Sequence, residues 1–253
     1  MCNEEKPIRI HKLLSEQGIC SRRDAEKMIR EKLVEVNGKI AEIGQKVRAS
    51  KDHILLQGEP LVIQLRKNTT LAFNKPRGVI CSNYDPYHNQ TVFDLLPNIL
   101  RKERLFCAGR LDKESAGLLI LTNDGTLANH LTHPSSLIIK RYEVKLNRSF
   151  KPTIIPLLKR GLDIDGEHLC VEKVIFLKKD KNLYTRLEIH LNHGRKREIR
   201  RLFEAFNYQV KKLIRRQIGG LTLQGIKTGC YRLLNSADIK KLTSTMNYIK
   251  AKI

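Results

Sequence analysis

The sequence contains no tryptophan, and only 6% of its residues are aromatic. A sugar-binding cleft built on stacked aromatic platforms therefore has no support. The six cysteines, Cys2, Cys20, Cys81, Cys107, Cys170 and Cys230, are scattered along the chain with no close pair. That spacing suggests neither a zinc knuckle nor a disulfide framework, and reduced thiols in a cytoplasmic protein are expected. No apolar run has the length of a membrane span; the densest, Gly117–Leu121, is strand-sized. Met1–Arg9 is polar, without the apolar centre of a signal peptide, so a soluble chain is expected. Acidic residues are scarce: 26 Asp and Glu stand against 48 Lys and Arg, a net charge of +22 over 253 residues. Hydrophobic residues still make up 41%, enough for a packed core, which argues against a disordered basic tail. The length fits one large domain or two smaller ones. The excess charge calls for a polyanion, either nucleic acid or an anionic membrane.

What is present divides into two patterns. From Ile8 to Arg66 the chain reads as two helices followed by strands. Ile10, Leu13 and Leu14 share one helix face, and Gly18 is a stop. In SRRDAEKMIREKL, Ser21 with Asp24 resembles a capping pair, and Ala25, Met28, Ile29 and Leu33 form the apolar stripe. VEVNGKI predicts a hairpin turning at Asn37-Gly38, and Asp52–Leu56 a further strand. After a linker at 67–70 the pattern becomes mixed. LAFNKP, GLLILT, RYEVKL and YTRLEIHL predict strands, TVFDLL a short turn or helix, and Thr153–Leu158 a helix. KREIRRLFEAF predicts a helix with Ile199, Leu202, Phe203 and Phe206 inward and Arg197, Arg200, Arg201 and Glu204 outward. A last helix is expected over Ser236–Ile249, burying Ile239, Leu242, Met246 and Ile249. Strands outnumber helices and often adjoin, so the fold class is α+β with a mixed or antiparallel sheet.

The positive charge is concentrated. Gly194–Arg216 holds nine basic residues, Arg195, Lys196, Arg197, Arg200, Arg201, Lys211, Lys212, Arg215 and Arg216, against only Glu198 and Glu204. Spread over a helix and the following strand, they can line one groove and contact phosphates. Arg22, Arg23, Lys27 and Arg30 give the N-terminal unit a second basic surface. Two such surfaces suggest a folded RNA gripped at two places. A membrane-surface helix fits less well, because the apolar stripes are no richer than ordinary core stripes.

The most unusual segment is GRLDKESAGLLILTNDG, Gly109–Gly125, where a charged cluster stands directly before a buried strand. Asp112 is thereby presented at the edge of a rigid sheet, a good position for a nucleophile or base. A loop carboxylate that caps a turn or pairs with Arg110 is the plainer alternative. Asp112 with Glu114 could form a glycosidase pair, but the aromatic poverty argues against it. His130 with His133, and His190 with His193, lack a third ligand, so no metal site is expected. There is neither a phosphate-binding glycine loop nor a Gly-x-Ser-x-Gly elbow.

These residues carry a resemblance. GRLDKESAGLLILTNDG resembles the signature of the bacterial ribosomal pseudouridine synthases of the RsuA/RluB/RluE/RluF family. FNKPRGVICS, KRYEVKL and HGRKREIRRLFEAFNYQVKKLIRRQIGGLTL are similar to the family's other motifs and come in its order. The N-terminal segment IHKLLSEQGICSRRDAEKMIREKLVEVNGK is similar to the S-four-type (alpha-L) RNA-binding domain. The resemblance implies such a domain over 8–66, a linker at 67–70, and over 71–253 a catalytic domain with a mixed, mainly antiparallel sheet flanked by helices. It implies Asp112 as the catalytic aspartate, Tyr142 packed against the target ring, and Arg200 paired with Asp112. Arg110 would fill the space of the flipped base, with Leu111 beside it. Lys12, Arg22, Arg23, Lys27, Arg30, Lys75, Arg195, Arg197, Arg201, Lys211, Lys212 and Arg215 would contact RNA. Two positions depart from the pattern: Glu198 stands where Gln is common, and Lys196 where Asn is frequent. No cofactor or metal is implied. The implied partner is ribosomal RNA, bound by a monomer. TVFDLLP, Thr91–Pro97, preceded by Asp85-Pro86, most resembles the family's large-subunit branch, which implies a uridine in a large-subunit RNA hairpin as target; the small-subunit branch is the alternative. A ribosome-assembly factor that binds RNA without chemistry is the competing class.

Overall fold

The computed structural model describes residues 5–64, 67–83, 85–87, 89–180 and 183–244. The chain divides into two units at Asn68/Thr69. The first contains β1 (Ile8–Arg9), α1 (Ile10–Glu16), α2 (Arg22–Arg30), β2 (Val34–Val36), β3 (Lys39–Ile40), β4 (Lys46–Val47), β5 (Ile54–Leu56) and β6 (Glu59–Pro60). Ile10, Leu13 and Leu14 of α1 are buried with Ala25 and Ile29 of α2, as their helical spacing requires; Met28 packs against the edge of that core. Ser21 caps α2 reciprocally: its oxygen accepts from the Asp24 amide and its hydroxyl donates to the Asp24 carboxylate. Asn37 and Gly38 both have positive φ, 52° and 78°, the geometry of the tightest hairpin turn. The strands run antiparallel in the order β3-β2-β5-β6, and β1 pairs β4 apart from them.

The second unit contains β7 (Thr70–Lys75), α3 (Asn98–Arg101), β8 (Phe106–Cys107), β9 (Ala116–Thr122), α4 (Gly125–Thr132), β10 (Lys140–Leu146), α5 (Ile155–Arg160), β11 (Leu162–Ile164) and β12 (Glu167–Leu169). It continues with β13 (Lys173–Asp180), β14 (Leu183–Leu191), α6 (Glu198–Glu204), β15 (Val210–Ile218), β16 (Leu221–Thr222), β17 (Tyr231–Leu233) and α7 (Ser236–Thr243). Among the described residues the main sheet follows the order β13-β14-β10-β15-β9-β7-β17, with β16 and β8 at its margins. Every pairing is antiparallel except β15 with β9, so the sheet is mixed and mainly antiparallel.

The apolar run of β9 is explained by burial on both faces. Leu118 and Ile120 join α4 in one core, while Leu119 and Leu121 join Leu71 and Phe73 of β7 in another. Where β9 meets β15 the strands come unusually close. Gly117 has φ +105°, and a Cβ there would lie 2.3 Å from the Arg215 carbonyl oxygen. A third core lies under β10 and β14, where Tyr142, Val144, Leu187 and Ile189 meet Ile199, Leu202 and Phe203 of α6.

Two helix expectations are corrected or limited. The helix expected from Lys196 begins only at Glu198, because Arg197 has φ 51° and lies in the left-handed region. It ends at Glu204, and Phe206 sits half-buried in the turn that follows. In the last helix Ile239 and Leu242 pack inward, whereas Met246 and Ile249 lie outside the described residues. Cys2 lies outside them too; Cys20, Cys81, Cys107, Cys170 and Cys230 are not joined in disulfides. No helix among the described residues is long and apolar enough to cross a membrane.

Candidate active site

The segment carrying Asp112 is fixed by its backbone. Lys75, fully buried at the end of β7, donates from Nζ to the carbonyls of Ser115 (2.8 Å), Pro76 (3.0 Å) and Lys113 (3.4 Å). The Gly78 amide donates to the same Lys113 carbonyl at 2.8 Å, and the Ser115 amide donates to the Asp112 carbonyl at 3.0 Å. On the other side the Leu111 amide donates to the Cys81 sulfur at 3.4 Å. This bonding leaves the Asp112 carboxylate half-buried with no hydrogen bond or ion pair among the described residues. Glu114, two residues on, is exposed and accepts from Arg77 Nε at 2.6 Å, so the two carboxylates do not form a pair.

Asp112 borders a cavity of about 600 Å³. Arg110, Leu111 and Lys113 come from its own segment, and Lys140 and Tyr142 from β10. Leu213 and Arg215 come from β15, and Gly194–Ile199 from the turn into α6. Tyr142 is buried and lines this space. Arg110 is exposed at the rim with Arg195, Lys196 and Arg197. The turn is braced by Glu198, whose buried carboxylate accepts from the Arg195 amide at 3.1 Å and meets His193 Nδ1 at 2.8 Å. Glu198 is thus committed to its own turn.

Several expected site residues are placed differently. Arg200 does not bond Asp112: its guanidinium donates to the carbonyls of Val210 (2.9 Å) and Glu114 (3.2 Å), although Asp112 still acts on it through space. Burial and the neighbouring Arg197 pull the Arg200 pKa below its ordinary value, against the influence of Asp112 and Glu114. Lys75 is no RNA contact, because its ammonium is enclosed and bonded to carbonyls. Arg201 is turned inward to Glu167, Asp165 and the Ile164 carbonyl. Arg215 is 3% exposed and donates from Nε to the Leu118 carbonyl at 2.6 Å, so it faces the cavity floor rather than a phosphate backbone. Lys211 and Lys212 are exposed but lie away from the cavity lining. In the first unit Arg22, Arg23, Lys27 and Arg30 are exposed; Lys27 reaches Glu31 at 3.8 Å, and half-buried Lys12 reaches Glu16 at 3.5 Å.

Sequence reasoning missed two features. Lys140 stands on the same face of β10 as Tyr142, a position that the alternation of KRYEVKL already marks as inward. Cys81 and Cys107 come within hydrogen-bonding reach, and no spacing rule connects residues so far apart. The Cys107 thiol donates to the Cys81 sulfur, which brings the Cys81 pKa down to about 6, while the Cys107 pKa is pushed up. Through the bond that the Leu111 amide gives to the Cys81 sulfur, the thiol pair helps to position the Asp112 segment.

A carboxylate on a rigid segment, beside an aromatic face and under a basic rim, defines an enzyme that acts on a polyanionic substrate. The comparisons with known proteins make the class specific. Residues 69–205 match the RNA pseudouridylate synthase family, and residues 8–54 match the S4 domain. The chain belongs to the RNA pseudouridylate synthase family, and its activity is that of an isomerase acting on RNA. It is 36% identical over 244 residues to ribosomal large subunit pseudouridine synthase B of Bacillus subtilis, covering 96% of this chain and 98% of that one. It is 34% identical to an uncharacterized RNA pseudouridine synthase of Borreliella burgdorferi, over 95% of each chain. A crystal structure of a pseudouridylate synthase superposes with a TM-score of 0.68 at 28% identity, over 93% of this chain and 99% of that one.

Proposed function

We propose that this protein isomerises a specific uridine to pseudouridine in large-subunit ribosomal RNA. The observation that carries the reading is the end-to-end similarity to the Bacillus subtilis large-subunit enzyme. The unpaired Asp112 carboxylate in a basic-rimmed cavity supports it from the chemistry. In this reading residues 8–66 grip the RNA, 67–69 link, and the catalytic part begins at Thr70, which the sequence pattern assigns to the linker but which opens β7. The enzyme works in the cytoplasm as a monomer on an RNA hairpin.

The target atom is shielded by base stacking, so the nucleotide has to swing out of the helix. Arg110, exposed at the rim, fills the gap, and Leu111 supports it. The Tyr142 ring holds the uracil face. Asp112 then either adds to C1′ or removes the C2′ proton to give a glycal, and the C1′–N1 bond breaks with its electron pair leaving on uracil. After the base turns, C1′ bonds to C5 as the Asp112–C1′ ester breaks or, in the glycal route, as C2′ takes its proton back from Asp112; C5 then loses a proton and N1 gains one, so the product is an isomer. Arg200, whose charge interacts with Asp112 through space, orients it by closing to a direct bond when RNA excludes water. Arg195, Arg197, Lys211 and Lys212 hold phosphates, as do Lys12, Arg22, Arg23, Lys27 and Arg30 of the first unit.

Carbodiimide and primer-extension mapping of ribosomal RNA from cells with and without this chain tests the reading. One large-subunit pseudouridine should disappear without the protein and stay absent with Asp112→Asn, while the variant still binds RNA. A missing small-subunit pseudouridine would move the target to the other subunit. An unchanged map would leave an RNA-binding assembly factor as the better reading.

A further inference from the structure

The cavity beside Asp112 has a floor of positive charge with no ion-paired counter-charge among the described residues. Lys140 and Tyr142 lie two residues apart on β10, opposite Leu191 and Ile189 of β14, so their side chains leave the sheet on one face. Arg215 of β15 is paired with Tyr142 and shares that face. All three line the cavity. Lys140 is 8% exposed and Arg215 3%. Among the described residues the Lys140 ammonium reaches only the carbonyls of Ile138 and Asn192, at 3.3 and 3.4 Å. Arg215 Nη2 is buried with no hydrogen-bond partner. Glu198, the carboxylate whose charge acts on Lys140, is held by His193 and the Arg195 amide and bonds neither cation.

Burying two like charges side by side without a bound anion opposes folding. Burial and the facing Arg215 bring the Lys140 pKa down to about 8, with Glu198 resisting. Such an arrangement suits a site where the ligand brings the negative charge. The isomerisation reaction generates that charge when the C1′–N1 bond breaks and its electron pair spreads over N1, O2 and O4 of the base.

We propose that Lys140 and Arg215 form an anion site for the detached uracil, stabilising the charge that develops on it during C1′–N1 cleavage. This rests on the reading of Asp112 and its cavity as the place of isomerisation. Fixed donors aimed at developing charge in a water-poor pocket lower the barrier and need no reorganisation during reaction. The same two cations retain the free base while it turns to present C5. A phosphate of the target nucleotide is the other anion that could sit here, and it would act on binding rather than on the rate.

The test compares the full-length protein with Lys140→Met and Lys140→Arg. Single-turnover tritium release from RNA labelled at uracil C5 gives the rate, and filter binding gives RNA affinity. Lys140→Met should lower the rate by about 100-fold and leave RNA affinity nearly unchanged. Lys140→Arg should restore most of the rate. The groups facing Lys140 are Tyr142 on its own strand, Arg215 on β15 and Glu198 on α6. The wild-type rate should fall as pH rises past about 8, where the amine loses its charge. That alkaline limb should move upward in the Arg variant, which keeps its charge. A Met variant with the wild-type rate overturns the proposal, and so does a loss confined to RNA affinity, which would assign a phosphate contact. If the Met variant does not fold, an Arg variant with an unshifted alkaline limb overturns it. If the wild-type protein forms no pseudouridine at all, the functional reading itself fails and this inference falls with it.

Discussion

The basic residues of α2 and those of the Gly194–Arg216 run are alike in sequence and different in use. In α2, Arg22, Arg23 and Arg30 project from a short capped helix whose inner face is filled by Ala25 and Ile29. Among the described residues none of these three forms an ion pair, so in the proposed reading their charge is left for phosphates. In the later run much of the charge is consumed inside the fold. Arg201 ties α6 to the β11–β12 hairpin, Arg216 meets Glu143 at 2.6 Å, Arg200 bonds two carbonyls and Arg215 is buried under the cavity. Arg195, Lys196, Arg197, Lys211 and Lys212 remain exposed. A cluster of cations on one helix face thus stays exposed as a whole, whereas a longer run that crosses from a helix into a sheet is partly taken inside.

Substitutions can break or sharpen that comparison. The largest effect is expected at Lys75, an enclosed cation whose three carbonyl bonds hold the Asp112 segment. Lys75→Met should cost about 3 kcal/mol of stability, seen in urea unfolding, without changing how RNA binding depends on salt. Arg201→Ala should lower the melting temperature by less, again leaving the salt dependence alone. A change in that dependence would return Arg201 to the RNA surface.

The Arg216 pairing is tested by pH. Burial raises the Glu143 pKa, but Arg186 and Arg216 outweigh it and hold the carboxyl below its ordinary 4.5. Its contribution is complete above that value and is lost as pH falls through the lower value of the folded state. The stability gap between wild type and Glu143→Gln should narrow below about pH 4.5 in acid-unfolding curves. The smallest stability effect belongs to Arg22→Ala with Arg23→Ala, which should leave the melting curve unchanged. That double variant should flatten the slope of log affinity against log salt by about 1.5. An unchanged slope would show that α2 does not hold phosphates.

The local patterns were legible because they depend on neighbours. The Asn37-Gly38 turn, the Ser21 cap, the α1 stripe and the strands of β7, β9, β10 and β14 all follow from periods and turn residues within a few positions. The α6 start was misplaced because nothing local announces that Arg197 adopts a left-handed backbone. The inward face of Lys140 could have been read from alternation, but a lysine in a basic chain looks like surface.

By itself the sequence determined the two-part organisation, the strand and helix pattern, the family signature around Asp112 and the surplus of positive charge. Only the tertiary structure decided which cations are surface and which are internal ties. It also brought Cys81 to Cys107, sent Arg200 to two carbonyls, and set Lys140 and Arg215 together under the cavity. The physical reason is register: β10, β15 and β9 lie side by side although far apart in the chain, and their pairing alone selects which side chains meet in the dry interior.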